Sequence, residues 1–576
     1  MTLDSFPKII LARLCANTID QNLLGGIYIA KQKACHKYIY KLHSTYLAKM
    51  KWNLHLPLEL AKKRKDIIAL SDSQLLRFID ELNQEDTDTE AKAIKKKIRL
   101  LKNAPNTERN KSIMAQQYKR LYDLQFRPDY ACLICDKKSD YDKANKKMII
   151  NGIAYHRFLG TNGGIKNSTI VYVSERLYPV LKERLDCGRD PTKEFIPAKL
   201  EAYQALICSG SIPVSMPKGI IVVPDCVTHF TEDVIRIDDS HSEEPVVTFE
   251  SGASIELTES DGYGLMLPAL SERWNVELGG KPGQYLSGVN IRGLPWTKGM
   301  ALTMDFVEFG TKIADNYMIK DAWGDWRDVR DAELILATSM LKLWDSYSSF
   351  DDYWDNVQKY HYQISISKTA PYSLENEHST NYQFLQSYHL SKDEIHELIS
   401  PTVNEIHEVL GLDYRKSLLF LKGMGMTPEK FKYDTDYDFA KALMIEPEMI
   451  NDPFVRSKIY KMIKKKIRQA KIGVVKVDGC YAIIGGDPYS LCQSIFDLPV
   501  TGLLKAGETY HKYWTDKFVD EVACFRAPMT SKYNIRKLKV VSNKEMVHWY
   551  QYIDTCMLLN SWDTTKEALN GADCDL

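Results

Sequence analysis

The sequence predicts an α+β protein in which two small β-barrels are separated by a helical segment. Three observations predict it. Residues 246–306 break into short apolar strands with glycine at the corners, among them Val246-Val247-Thr248-Phe249, Ser254-Ile255-Glu256-Leu257 and Val289-Asn290-Ile291-Arg292, the pattern of a small barrel. The same texture returns after residue 471, in Val474-Val475-Lys476-Val477 and Tyr481-Ala482-Ile483-Ile484. Between them lies a helix-rich stretch, and residues 1–130 are also dominated by helix formers. The expected division is a helical N-terminal domain at 1–150, a first barrel region at 151–324, a helical insert at 325–470 and an incomplete second barrel region at 471–576.

Composition sets the bounds. A chain of 576 residues is too long for one core. Its 76 basic and 76 acidic residues cancel, so any nucleic-acid surface comes from local segregation of charge. No apolar run approaches the length of a membrane span. Residues 1–10 carry Asp4, Pro7 and Lys8, which leaves no signal-peptide core. A cytoplasmic protein without a membrane partner is expected. Of the 12 cysteines, only Cys132 and Cys135 have ligand spacing. No second pair follows at zinc-ribbon distance, so reduced thiols are the expected reading.

The elements follow in order. The run Lys95-Lys96-Lys97-Ile98-Arg99 lies on a helix and reads as a solvated face, with a nucleic-acid contact as the alternative. Residues 157–167 form a Gly-rich turn feeding the β-branched strand 168–173. It is no P-loop, because Gly-Lys-Ser/Thr is missing. A short helix is expected at 197–207 and a buried strand at 219–225. Arg292 and Lys298 flank a Gly-Leu-Pro turn; two cations beside backbone amides suit a phosphate, while a plain surface turn is the alternative. Residues 331–344 read as an amphipathic helix. From 456 to 471 there are eight cations and no acid, including Lys464, Lys465, Lys466 and Arg468. Ile459, Met462, Ile463 and Ile467 form an apolar stripe beside them. Such a helix suits a phosphate backbone, with a membrane surface as the competing use. A last helix is expected at 544–560.

The end of the chain reads Asn570-Gly571-Ala572-Asp573-Cys574-Asp575-Leu576. In extended chain Asp573 and Asp575 point the same way. Two carboxylates on one side repel unless a cation lies between them, and a hard ion such as Mg²⁺ suits the pair. An exposed acidic tail is the alternative.

The order of these motifs resembles the two-barrel RNA polymerase superfamily, within it the single-subunit enzymes: cellular RNA-dependent RNA polymerases of RNA silencing and related phage-encoded polymerases. Phe525-Arg526-Ala527-Pro528 followed by Asn570 to Asp575 looks like the Arg-Ala-Pro and Asp-x-Asp-Gly-Asp pair of the catalytic subunit. Ile291-Arg292-Gly293-Leu294-Pro295-Trp296-Thr297-Lys298-Gly299 is similar to the lysine stretch of the first barrel, and Asp261-Gly262-Tyr263-Gly264 to the motif before it. Residues 334–342 and 486–510 resemble the segments that follow. The likeness covers about 150–576. It departs at Leu576, where the family has Gly and then a third aspartate, and at Phe525, where Asn often stands.

The resemblance implies two double-psi β-barrels, the second truncated, and template-dependent nucleotidyl transfer from NTPs to an RNA 3′ end by two Mg²⁺ ions, one entering with the NTP. It implies Asp573 and Asp575 as metal ligands and Lys298 at the triphosphate. Arg292 would orient phosphates, with Lys281 a second lysine nearby, and Arg526 would sense the incoming ribose. The basic helix would hold template or product RNA. A DNA-directed phage-type enzyme is expected, in the host cytoplasm if phage-encoded. RNA-directed synthesis is the alternative, and so is a non-catalytic nucleic-acid-binding half of a split polymerase. With the third aspartate missing, the expectation is weak activity until a C-terminal partner chain completes the site.

Overall fold

The computed structural model of the protein describes residues 8–12, 37–84, 87–105, 107–160, 169–193, 195–238, 240, 244, 246–375, 377–421 and 438–574. Three seven-stranded sheets organise the chain.

The N-terminal region is helical only in part. Helices Gln74–Leu82, Thr87–Lys102 and Glu108–Gln125 accompany a mixed sheet. Its order is Asn53–Leu54, Met148–Ile150, Ile153–Gly160, Thr169–Ser174, Phe126–Ile134, Lys37–His43, Ile67–Leu70. Phe126–Ile134 follows a helix with no turn between them, so the helix formers upstream conceal it. Tyr40, Leu42, Leu133, Tyr155 and Tyr172 fill one face. On Thr87–Lys102, Ile94 and Ile98 are buried while Lys96, Lys97 and Arg99 face solvent.

The second sheet runs Ile220–Val223, Leu334–Ala337, Tyr263–Met266, Gly299–Thr303, Gly288–Arg292, Ser365–Thr369, Ile212–Pro213. Its five central strands, from Leu334–Ala337 to Ser365–Thr369, come from a span that crosses the expected boundary at 324. The expected helix at 331–344 is instead the strand Leu334–Ala337 and a turn. Four consecutive apolar residues, all buried, suit a strand covered on both faces. Residues 246–258 do not join this barrel. Val227–Asp238 and Val246–Thr258 pair antiparallel as a separate ribbon, long enough to leave Ile235, Ile237, Val247 and Phe249 exposed on its outer half.

The third sheet closes on itself. Lys476–Gly485, Cys556–Leu559, Glu508–Tyr510, Ile535–Val540 and Glu521–Arg526 pair in succession, and Lys8–Ala12 pairs in parallel with both end strands. One strand of this sheet thus comes from outside the expected second barrel region at 471–576. Helix Lys544–Trp549 stops short of residue 560, because Cys556–Leu559 is needed as a buried strand.

The two barrels share a core in which Tyr263, Met300 and Leu302 meet Leu491, Tyr510, Trp549 and Leu558. Their approach needs glycine: a Cβ on Gly485 would lie 2.8 Å from Leu302 Cδ1. The helical insert packs Lys392–Leu410, Tyr414–Leu421, Asp438–Ile445 and Pro453–Lys471 around Val409, Leu418, Leu443 and Ile459.

Candidate active site

Lys298 ends a turn that is buried rather than superficial. Leu294, Pro295, Trp296 and Thr297 are all buried. Gly293 and Trp296 take positive φ, 90° and 60°, conformations that turn the chain sharply. The Trp296 indole donates to Tyr347 Oη at 2.8 Å, and Tyr353 Oη donates to Pro295 O at 3.0 Å. The Lys298 amide donates to Met340 O and the Lys342 amide to Trp296 O, at 2.9 and 3.0 Å. Lys298 therefore stands half-buried at the end of a braced ribbon. Arg292 is buried, with Nη1 donating to Ile291 O at 2.7 Å. Lys281 is exposed beyond helix Pro268–Glu277.

The aspartate loop comes from the other barrel. Asn570 and Gly571 both take left-handed φ, 64° and 58°, where Asn and Gly are the tolerant residues. Arg526 Nη1 donates to the carbonyls of Leu569, Asn570 and Gly571 at 3.4, 3.2 and 3.1 Å. Arg526 Nη2 lies 4.0 Å from Asp573 Oδ1. Arg526 thus clamps the loop that carries Asp573. Asp575 lies outside the described residues.

One strap joins the two loops. The Cys574 amide donates to Asp261 O at 3.0 Å, and the Met300 amide donates to Gly262 O at 2.9 Å. Consecutive α-carbons are 3.8 Å apart, so the Asp573 loop and the Lys298 strand hang from neighbouring carbonyls. Gly262 has φ 80°, and its amide is held by Ser339 Oγ at 2.9 Å. Asp225 steadies the strap from behind, accepting from Ser260 Oγ, Ser339 Oγ and Thr338 Oγ1 at 2.8, 2.6 and 2.6 Å.

Beneath the strap lies a buried polar knot that the sequence reading missed. Glu259 Oε1 accepts the Asp487 amide at 2.6 Å and Glu259 Oε2 accepts Tyr263 Oη at 2.6 Å. Asp487 accepts Tyr550 Oη at 2.6 Å. Lys566 Nζ donates to Glu259 O and lies 3.6 Å from Glu259 Oε1. The Lys566 backbone carbonyl in turn accepts the Ala572 amide at 2.8 Å. Burial works against the Lys566 ammonium, but Glu259, Cys574 and Asp261 outweigh it and hold its pKa above the usual lysine range. Single charges 307 positions apart leave no local signal.

The basic helix Pro453–Lys471 divides its cations. Val455, Ile459 and Ile463 are buried, but Ile467 is exposed, so the apolar stripe ends early. Lys464, Lys465 and Arg468 face solvent. Lys466 does not: its Nζ donates to Glu405 of the neighbouring helix and lies 5.6 Å from the Phe420 ring. Three of the four expected contacts therefore share an open face, and the fourth faces inward.

Among the described residues, no cluster of three or more His, Cys, Asp or Glu could hold a metal ion. No described helix is long and apolar enough to cross a membrane.

Known proteins extend these observations. No family model matches the chain. It is 28% identical over 426 residues to the DNA-directed RNA polymerase YonO of Bacillus phage SPbeta, across 71% of this chain and 46% of that protein. The RNA-dependent RNA polymerase QDE-1 from Thielavia terrestris superposes with a TM-score of 0.51 at 14% identity, over 78% of this chain and 48% of that one. The two proteins share a fold. The chain spans about half the length of each relative.

Proposed function

We propose that this protein carries the catalytic barrels of a template-dependent RNA polymerase, transferring nucleotides from NTPs to an RNA 3′ end. The carrying observation is the convergence of the Asp573 loop and the Lys298 turn on Asp261 and Gly262. A carboxylate that can take a cation and a cation that can take a phosphate are the two opposite parts that phosphoryl chemistry needs.

Asp573 and Asp575 would hold Mg²⁺, for which carboxylate oxygens are suitable donors. When bound, such an ion supplies Lewis acidity for nucleotidyl transfer. Lys298 neutralises charge on the triphosphate. Arg292, being buried, orients the turn and reaches phosphate only through it; Lys281, exposed, guides substrate at longer range. Arg526 holds the aspartate loop beside Asp573, where an incoming ribose would be sensed. The two barrels then make the site, and the helical insert presents Lys464, Lys465 and Arg468 to the strand.

DNA is the first choice of template, supported by the 28% identity to a phage DNA-directed enzyme. The shared fold with an RNA-directed enzyme supports the second reading. Extension of an RNA 3′ end on matched DNA and RNA templates decides between them. Asp573→Ala should lower extension about 10³-fold, the several kcal/mol that a bound ion contributes, with nucleic-acid affinity unchanged. Extension that survives this change overturns the assignment.

The helix offers a separate measurement. Changing Lys464, Lys465 and Arg468 to Glu should flatten the salt dependence of single-strand binding by about 2 in log–log slope, at about 0.7 for each phosphate contact. Lys466→Glu should instead lower the melting temperature, because it places two carboxylates together with Glu405.

A further inference from the structure

A cleft of about 390 Å³ opens between helix Pro197–Gln204 and the loop 338–345, within the range of about 300–1,000 Å³ common for small-molecule sites. It lies outside the aspartate and lysine machinery but touches its support. Leu341 and Lys342 line it, and the same two residues are the partners of the Lys298 turn: Thr297 bridges to Leu341, and the Lys342 amide donates to Trp296 O at 3.0 Å. The cleft and the Lys298 turn thus share Leu341 and Lys342 as a common wall.

The lining chemistry is specific. Tyr203 and Trp344 supply aromatic surface, and Trp344 is braced edge-on by Trp323 at 5.6 Å between ring centroids. Lys199 is exposed and Lys342 half-buried, and neither is paired with a carboxylate among the described residues. Asp345 also lines the cleft, and its carboxylate accepts hydrogen bonds from amino or hydroxyl groups while repelling phosphate at its own end. Two aromatic rings, two cations and one acceptor match a nucleotide: base on the aromatics, phosphate at the lysines, and ribose hydroxyl or base amino group at Asp345.

We propose that this cleft is a second nucleotide-binding subsite, distinct from the site of transfer. The choice of ligand rests on the nucleotidyl-transfer reading; the cleft and its charges do not. The nucleotide arrives either as free NTP or as one unpaired unit of a strand, since both present the same base and phosphate.

Photocrosslinking tests this on the whole protein. The probes are 8-azido-ATP and an oligouridylate carrying 4-thiouridine, with crosslinked peptides mapped by mass spectrometry. Crosslinks are expected in peptides containing Tyr203 or Trp344. Lys199→Glu with Lys342→Glu should cut their yield about tenfold, the effect of about 1.4 kcal/mol, and lower the salt slope of strand binding by about 1.4, which is two contacts at 0.7 each. Loss with 8-azido-ATP alone assigns the cleft to free nucleotide, and loss with the oligonucleotide alone assigns it to a strand. No crosslink in these peptides, or yields untouched by the charge reversals, overturns the proposal. If the double reversal fails to fold, Lys199→Gln with Lys342→Gln replaces it under the same criteria. RNA extension by the unaltered protein is measured in parallel. Absent extension with crosslinking intact defeats the polymerase reading and leaves the subsite standing, whereas normal extension without crosslinking does the reverse.

Discussion

The two barrels present opposite degrees of enclosure. In the first, the strands Ile220–Val223, Tyr263–Met266, Gly288–Arg292, Gly299–Thr303 and Leu334–Ala337 are buried at every position. In the second, Lys476–Gly485 and Glu521–Arg526 mix buried and accessible residues, and in Ile535–Val540 only Leu538 is buried. The first is a block packed on both sides, and it carries the lysine on a braced turn. The second keeps one face toward water, and it carries the aspartate on a loop held mainly by Arg526 and two amides. Lys298 thus stands on a turn fixed by packing as well as hydrogen bonds, and Asp573 on a loop whose hydrogen bonds can be changed one at a time.

The knot between the barrels should give the largest effect on stability. Lys566→Met removes the cation from a fully buried carboxylate, and breaking such a pair costs about 3–5 kcal/mol. Glu259→Gln added to Lys566→Met should recover much of that loss in chemical denaturation. If the two changes simply add, the pair is not what joins the barrels. The folded-state pKa of Lys566 is raised, so its contribution is full below the unfolded lysine value and fades as pH rises through the folded one.

Glycine substitutions sharpen the contrast further. A Cβ on Gly264 in the first barrel would meet Ile335 O at 2.1 Å. Gly507, at the edge of the second, has φ 76° but nothing within 4 Å. Gly264→Ala should cost about 3 kcal/mol, the upper part of the overpacking range, and Gly507→Ala about 1 kcal/mol of backbone strain. Equal losses in melting temperature would show that the two regions are equally constrained.

A third measurement concerns acid. His511 is fully buried in the second barrel region, and burial lowers its pKa from 6.5 to about 3. The unfolded chain therefore binds a proton that the folded chain refuses, and stability falls as pH drops from about 6.5 toward 3. At pH 5 the loss is about 2 kcal/mol. His511→Phe should move the acid-unfolding midpoint to lower pH; an unchanged midpoint would place the acid sensitivity elsewhere.

Much of this was legible in the sequence where the signal is local. The short strand at Gly288–Arg292 does join a barrel, whereas 246–258 belong to the separate ribbon, and Asp261-Gly262-Tyr263-Gly264 proved to be the strap between the Lys298 turn and the Asp573 loop. The cationic face of Pro453–Lys471 was visible because helical period and charge coincide. Lys466 escaped because its partner, Glu405, lies 61 positions away. The N-terminal sheet escaped because its strands are short or abut long helices. Leu334–Ala337 escaped because four apolar residues suit a buried strand and a buried helix alike. For Lys466 and for Phe126–Ile134 the deciding partner is distant in sequence, and no window contains it.

The strand Lys8–Ala12 has a consequence for synthesis. It lies between Lys476–Gly485 and Glu521–Arg526, so its first partner emerges from the ribosome 468 positions later, from residue 8 to residue 476. At roughly 5–20 residues per second, that is roughly 25–90 s with a β-edge waiting. Of the strands in this sheet, the one made first is among the last to find its place. A bulky insertion beside Lys8–Ala12 would therefore burden the closing of the second barrel, far downstream in the sequence.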